Sequence, residues 1–167
     1  MCEVILRKVE KSDVNLILNW ENNTDNWEIS DNDSPYSFED IEELISSMNY
    51  HKGTTQMRFI IVFDGANVGA IDLFDIDYKE HTAYIGILIA DLEYRRRGFG
   101  LSAIQLIENE AFSIGVSVVK AKIHSSNESS KQLFKKAGFE KSSCEKSINT
   151  KNHDYLDTEI FHKWVKK

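Results

Sequence analysis

The stretch 82–111 constrains the fold most, because it changes from a strand pattern to a helix pattern across a short turn rich in arginine and glycine. Residues 82–90 are apolar almost throughout, which is typical of a strand covered on both faces. A helix is predicted directly after the turn, and Gly115 ends it. The residues that we expect on its inner side are Leu101, Ile104, Ile107 and Ala111.

The rest of the chain supplies more strands than helices. Asp13 is a candidate cap for a first helix through Trp20, and Ser37 with Asp40 forms a capping-box pattern before a second helix. Gly138 stands where a last helix should end. The predicted strands are 4–9, 58–63, 68–76, 82–90, 116–123, 139–148 and 155–164, and the last helix is 128–137.

This order of elements predicts a mixed α/β (α+β) fold. The helices on either side of strand 116–123 imply that part of the sheet is parallel. The chain contains no internal repeat and no linker, so we expect residues 1–167 to form one domain.

Composition excludes several classes of protein. The net charge of −7 argues against a general nucleic-acid binder, since contacts to phosphates need a basic face. No run approaches the roughly 20 apolar residues that span a membrane, so no membrane partner is predicted. The two cysteines, Cys2 and Cys144, form neither a disulfide framework nor a metal-ligand cluster, and no metal is expected. We therefore expect a soluble, cytoplasmic protein.

The residues between Ser12 and His51 include no Lys or Arg. Such a charge run is either a solvated face or an acidic rim that attracts a cationic substrate. Its acidic residues are Asp13, Glu21, Asp25, Glu28, Asp31, Asp33, Glu39, Asp40, Glu42 and Glu43.

The turn Arg95-Arg96-Arg97-Gly98-Phe99-Gly100 has the chemistry of an anion site. Glycines let the backbone take unusual torsions and approach a phosphate closely. The helix that follows directs its N–H groups and the positive end of its dipole at the same point. The dinucleotide fingerprint GxGxxG and the Walker pattern GxxxxGK[ST] are both absent, which weighs against NAD-dependent and P-loop chemistry.

The pattern Arg95-x-x-Gly98-x-Gly100 resembles the acetyl-CoA signature of the GCN5-related N-acetyltransferase (GNAT) family. Residues 127–139, NESSKQLFKKAGF, resemble the second motif of that family. The opening LRKVEKSD resembles the ribosomal-protein and spermidine N-acetyltransferase branches. The resemblance covers nearly the whole chain. It implies a mostly antiparallel twisted sheet of about seven strands, a splayed parallel pair formed by strands 4 and 5, and about four helices.

The resemblance also implies acetyl-CoA as the co-substrate. Strand 4 would hold the pantetheine arm, the turn would hold the pyrophosphate, and the second motif would line the cofactor. Asn127 is equally well explained as a helix cap. The implied cofactor-binding residues are Leu88, Ile89, Ala90, Arg95, Arg96, Arg97, Gly98, Phe99, Gly100, Leu101, Asn127, Ser130 and Lys131.

The resemblance leaves the catalytic groups open, because Phe134 stands where many relatives carry an acidic tyrosine. A phenylalanine has no proton to donate. Tyr84 is a candidate phenolic acid or a core residue, and His124, which ends strand 5, is a structural histidine or a further group that reaches the cleft. The carboxylate candidates are Glu21, Asp72 and Asp75, of which the last two should face opposite sides of their strand.

We therefore predict direct transfer of an acetyl group to a primary amine. The acidic stretch favours a cationic acceptor, such as a polyamine, a peptide N-terminus or another small amine. The alternative is a catalytically weak module of the same fold that binds or senses acyl-CoA. A homodimer is the assembly to test.

Overall fold

The computed structural model describes residues 3–27, 34–148 and 155–166. Cys2, Glu28, Asp31, Asp33 and the predicted turn 149–154 lie outside these ranges. The strands are β1 Val4–Lys8, β2 Met57–Phe63, β3 Ala66–Asp77, β4 Thr82–Ile89, β5 Val118–His124, β6 Glu140–Ile148 and β7 Tyr155–Trp164. The helices are α1 Val14–Glu21, α2 Thr24–Trp27, α3 Phe38–Ser47, α4 Phe99–Ser113 and α5 Glu128–Lys136.

All seven strands belong to one sheet in the order β1-β2-β3-β4-β5-β7-β6. Every neighbouring pair is antiparallel except β4 and β5, which are parallel, as predicted. The parallel ladder has only three residue pairs and ends at Tyr84–Lys120. Because β4 continues to Ile89 and β5 to His124, a gap opens between the two strands beyond that pair.

The two faces of the sheet are covered by different helices. On one face α4 packs Ala103, Ile104, Ile107 and Ala111 into a large core, each 0% exposed, whereas the predicted Leu101 is only half-buried. On the other face Ile17 of α1 and Ile41 of α3 pack against Ile60 of β2. None of the helices in the described ranges has the length and apolar content needed to span a membrane.

The expectation that strand 82–90 is covered on both faces is wrong. Ala83 and Ile85 are buried on the α4 side, while Tyr84 and Gly86 on the opposite side are only half-buried. The cause lies in the position of α1 and α3, which pack against the β1–β2 side of the sheet. The corresponding face of β4 and β5 is therefore open to a ligand.

Helix caps agree with the sequence at α3 and differ at α1. Ser37 Oγ accepts from Asp40 N–H at 3.1 Å, and Asp40 Oδ2 accepts from Ser37 N–H at 2.8 Å. Asp13 occupies the N-cap position of α1, but its side chain makes no capping bond to that helix. Its carboxylate is used elsewhere.

Asp13 joins the first helix to the edge strand. Arg7 on β1 donates from Nη1 and Nη2 to the two oxygens of Asp13, both at 2.8 Å, and Glu10 N–H donates to Oδ2 at 2.8 Å. The hydrogen bonds from Arg7 hold the pKa of Asp13 below its usual range. Bidentate pairs of this kind are stronger than single-point ion pairs.

We predict that Asp13→Asn lowers the free energy of unfolding by about 1–2 kcal/mol at pH 7. Because the folded protein lowers the pKa of Asp13, this contribution is complete above the unfolded pKa of about 3.9 and is lost as pH falls through the folded value. Urea unfolding at pH 7 and pH 3 measures the difference, with Glu42→Gln on the exposed side of α3 as control. An equal loss at both pH values would contradict the prediction.

Candidate functional site

The turn before α4 has the backbone conformation of an anion-binding loop. Gly98, at the N-cap of α4, has φ of 90°, and Arg96 has φ of 59°. The first intrahelical bond runs from Ser102 N–H to the Gly98 carbonyl. The N–H groups of Phe99, Gly100 and Leu101 therefore point out of the helix end, where the dipole is positive.

Gly98 and Gly100 have different roles, although both lie in the predicted signature. Gly98 supplies the left-handed torsion. Gly100 is helical, and a Cβ placed on it would lie 3.1 Å from Cδ2 of Leu133 on α5. Gly100 thus allows α4 and α5 to approach closely. Phe99 is 7% exposed and its ring lies 4.4 Å from that of Phe63, so its side chain belongs to the core.

Arg95 is directed inward and connects three elements. Its Nε donates to the Ile89 carbonyl at 2.9 Å, and its Nη2 donates to Asn26 Oδ1 at 2.7 Å. Asn26 is 2% exposed and donates in turn to the Trp20 carbonyl at 3.0 Å. Arg95 therefore fixes the end of β4 against α2 and, through Asn26, against α1. Asn26 was not identified from the sequence, because its role depends on a contact with a residue 69 positions away.

Arg96 and Arg97 are exposed, unlike Arg95. The guanidinium of Arg97 lies over the rings of Tyr94 and Phe99, at 5.7 Å and 5.3 Å from their centroids. These two arginines give the mouth of the turn its positive charge.

The backbone of β4 alternates between β3 and the gap. Ala90 N–H donates to the Val68 carbonyl of β3 at 3.0 Å, so alternate residues such as Leu88 also direct their polar groups to β3. Ile87 and Ile89 direct theirs toward the gap. Of the three strand residues that the sequence suggested for the cofactor, the geometry favours Ile89, and it adds Ile87.

Gly69 on β3 allows an unusually close approach to this part of β4. A Cβ placed on Gly69 would lie 2.0 Å from the Leu88 carbonyl oxygen and 3.0 Å from the Ile89 Cα. Real Cβ atoms do not come so close to a backbone oxygen, so only glycine fits here. An isolated glycine within a strand is the signal that could have found it.

The second motif is held mainly by contacts within the protein. Asn127 caps α5 by accepting from Ser130 N–H at 3.0 Å. Lys131 donates to the Ser125 carbonyl at 2.6 Å and pairs with Glu128, which raises the pKa of Lys131. Asn127 and Lys131 thus shape the loop after β5, and a direct contact of either side chain with a cofactor stays a prediction.

Two of the carboxylate candidates meet on one arginine. Arg58 of β2 donates from Nε and Nη2 to the two oxygens of Asp72 on β3, at 2.7 Å and 2.9 Å. Its Nη1 donates to Glu21 Oε1 at the end of α1, at 2.9 Å. Arg58, Asp72 and Glu21 form a triad with a net charge of −1. Arg58 was not identified from the sequence, although a single cation on the Ile60 side of an apolar strand was a usable signal.

The triad is nearly buried, with side chains that are only 12–18% exposed. Burial alone would lower the pKa of Arg58, but the charges and hydrogen bonds of Asp72 and Glu21 outweigh it and the pKa is raised. Tyr36 lies in the segment just before α3. Its partial burial raises its pKa, and the negative charge of Glu21 adds to that effect.

The remaining candidates are distributed along the open face. A Cβ placed on Gly86 of β4 would lie 3.9 Å from Asp72 Oδ2 and 3.4 Å from Phe74 Cε1. Tyr84 stacks on Phe74 with ring centroids 5.7 Å apart. Asp75 is exposed, has φ of 49° and lies where the β3–β4 register shifts, so the structure does not bring it to the triad.

His124 and Phe134 have less direct positions. His124 lies at the end of β5, half-buried, in register with Thr158. Phe134 is 2% exposed and meets Phe139 edge to face at 5.0 Å. Among the described residues, no group of three His, Cys, Asp or Glu side chains is arranged to hold a metal ion.

Comparison with known proteins identifies the family. The model of the acetyltransferase (GNAT) domain matches residues 3–140. This chain belongs to the GNAT acetyltransferase family. The predicted family and its fold are thereby confirmed, as is the prediction of an N-acetyltransferase that uses acetyl-CoA as co-substrate.

Individual relatives agree with this assignment. The spermidine N(1)-acetyltransferase of Vibrio cholerae is 26% identical over 140 residues, which cover 82% of this chain and 79% of that protein. Spermidine N-acetyltransferase from Vibrio cholerae in complex with CoA and spermine has a similar structure, with a TM-score of 0.84, 23% identity and coverage of 98% and 96%. The RimL ribosomal L7/L12 alpha-N-protein acetyltransferase in complex with coenzyme A has a TM-score of 0.84, 17% identity and coverage of 98% and 94%.

We predict that Gly69→Ala weakens both acetyl-CoA binding and folding. The added methyl must displace the Leu88 carbonyl, which shifts the end of β4 and the backbone groups of Ile87 and Ile89. We expect a Kd for acetyl-CoA raised about tenfold and a loss of about 1–3 kcal/mol in unfolding free energy. Calorimetric titration and urea unfolding measure the two effects.

Gly86→Ala serves as the matched control on β4, since its methyl would meet Phe74 and Asp72 at ordinary contact distances. We expect it to leave acetyl-CoA binding unchanged. Equal weakening of acetyl-CoA binding in both variants would show that the close approach at Gly69 is unimportant.

Proposed function

We propose that this enzyme transfers the acetyl group of acetyl-CoA directly to a primary amine that binds beside Asp72 and Glu21. One observation carries the proposal. The carboxylate of Asp72 lies over Gly86, and the next residue, Ile87, directs its backbone groups into the gap between β4 and β5. An acidic group and a backbone donor thus meet at the point where the sheet opens.

The residues of the donor side fit acetyl-CoA. The outward N–H groups of Phe99, Gly100 and Leu101, together with Arg96 and Arg97, suit a pyrophosphate. The gap-facing N–H of Ile89 suits a carbonyl of the pantetheine arm, since the Ile89 carbonyl already accepts from Arg95. The Ile87 N–H is placed to polarise the thioester carbonyl, because a fixed backbone donor stabilises the charge that develops on that oxygen.

The acceptor side supplies negative charge. Each carboxylate oxygen of Asp72 accepts one bond from Arg58 and keeps a second lone-pair direction for an incoming ammonium. Arg58 holds both carboxylates in place and prevents their mutual repulsion from separating them. Asp72 and Glu21 thereby attract the amine and accept its proton, directly or through water.

In the transfer the acetyl group moves from sulfur to nitrogen. The amine nitrogen forms a bond to the acetyl carbonyl carbon, the carbon–sulfur bond breaks, and the electron pair leaves with the sulfur. The nitrogen loses two protons in all: the ammonium gives one to the carboxylate side before it attacks, and the second leaves to the carboxylate side or to solvent as the amide forms. Thiols ionise near pH 8.5, so a thiolate leaves without obligatory protonation. Tyr84 is our candidate for a proton donor where one is used.

The relatives suggest, by analogy, which amines to test as acceptors. Spermine occupies the structure of the Vibrio cholerae spermidine N-acetyltransferase, and RimL modifies a protein N-terminus. A polyamine or a peptide N-terminus is therefore the first choice to test. A dodecameric structure is known for the Vibrio cholerae enzyme, so the assembly of this chain, including the predicted homodimer, should be measured by light scattering.

We predict that Glu21→Gln raises the KM for cationic amines about three- to tenfold and leaves the KM for acetyl-CoA unchanged. The substitution removes the net negative charge of the triad while Asp72 continues to neutralise Arg58. Release of CoA thiol across a panel of polyamines, peptides and neutral amines measures both constants.

Glu43→Gln is the matched control, because Glu43 belongs to the same acidic stretch but is exposed on α3. An equal rise in KM for cationic and neutral amines would contradict a charge-based role of Glu21. Binding of acetyl-CoA without turnover on any amine would instead support an acyl-CoA-binding or sensor module, the alternative that Phe134 favours.

A further inference from the structure

The open face of the sheet carries positive charge as well as negative charge. Lys120 and Lys122 of β5 place their ammonium groups over the ring of Tyr84, at 5.7 Å and 5.0 Å from its centroid. Tyr84 stacks on Phe74, which in turn lies beside Gly86 and Asp72. Contacts thus connect the acidic triad to two lysines across one continuous surface.

The lysines have no carboxylate partner of their own in the described part of the chain. No described acidic oxygen lies within 4.0 Å of either ammonium group. Asp77 is close enough for Lys120 to affect its pKa, but its Oδ1 accepts from Lys79 N–H and Glu80 N–H at 2.8 Å and 3.1 Å. That oxygen is occupied by the β3–β4 turn.

We propose that the acceptor is a primary amine that also carries an anionic group, a carboxylate or a phosphate, which Lys120 and Lys122 bind. The inference rests on the proposed function, since it places the amine at Asp72 and Glu21. It narrows the acceptor class. A polyamine has positive charge at both ends, so one end would be repelled by the two lysines, whereas an amine with a remote anion matches both ends of the surface.

The spacing sets the size of the acceptor. Asp72 pairs with Gly86, and Lys120 pairs with Tyr84, so their Cα atoms differ by two residues along β4 and two strands across the sheet. Strand geometry makes that separation roughly 12 Å, and the side chains reach toward each other over Phe74 and Tyr84. An amine and an anion some 7–10 Å apart suit this surface, which corresponds to two or three residues of an extended peptide.

The test compares four amines of similar length: 6-aminohexanoate, its carboxamide, 1,6-diaminohexane and 4-aminobutyl phosphate. We expect kcat/KM for 6-aminohexanoate to exceed that for the carboxamide by about three- to tenfold at low salt and to fall as salt is added. The Lys120→Gln/Lys122→Gln variant should bring the ratio close to one. Lys52→Gln, an exposed lysine outside this face, should retain the ratio.

The possible results distinguish a failure of this inference from a failure of the proposed acetyl transfer. A faster reaction with the phosphate than with the carboxylate assigns a phosphate-bearing acceptor, and the reverse assigns a carboxylate. The inference is overturned if the diamine is the best substrate of the native enzyme, or if the preference for the anion survives in the double lysine variant. If acetyl-CoA binds but none of the four amines nor any polyamine or peptide is acetylated, the proposed function itself fails and the inference fails with it.

Discussion

Three residue pairs between β4 and β5 are the constraint on which the site depends. A longer parallel ladder would close the gap and pair the backbone groups of Ile87 with β5, as a continuous sheet requires. The strands are held together at one end by those pairs, and α4 and α5 lie on the covered face. The unpaired edge would cost stability in a sheet interior unless a ligand satisfied it. The fold therefore contains a place for an extended, amide-bearing ligand before any side chain is considered.

Two arginines whose side chains face the protein organise the residues around that gap. Arg95 binds the Ile89 carbonyl and the buried Asn26, which fixes β4 where it separates from the sheet. Arg58 gathers Glu21 and Asp72 on the open face. Both arginines act as structural centres, whereas Arg96 and Arg97 are exposed. The consecutive arginines of the turn thus differ in function because only Arg95 faces the protein.

The sequence predicted the elements and their order well, because periodicity and glycine positions are local signals. The parallel pair, the capping box of α3 and the turn at Gly98 were all expected, and the structure confirms them. Sequence patterns could not predict that β4 has an open face, since that depends on where α1 and α3 dock. They also missed Arg58, Asn26 and the close approach at Gly69, each of which involves residues far apart in the chain. Asp72 and Asp75 looked equivalent in sequence, and only the register shift and positive φ at Asp75 separate them.

Phe134 shows how packing limits the chemistry. The ring is buried against Phe139 in the core between α5 and the sheet. The position at which the family resemblance predicts a tyrosine acid is therefore used here for edge-to-face packing. A hydroxyl at that site would have to find a partner or remain buried without one. The enzyme that we propose therefore places its acid–base chemistry on the opposite, open face, where Asp72 takes the proton of the amine and the thiolate leaves unassisted or with a proton from Tyr84. On this face the same residues that handle the proton also sort acceptors by charge, so catalysis and specificity share one surface.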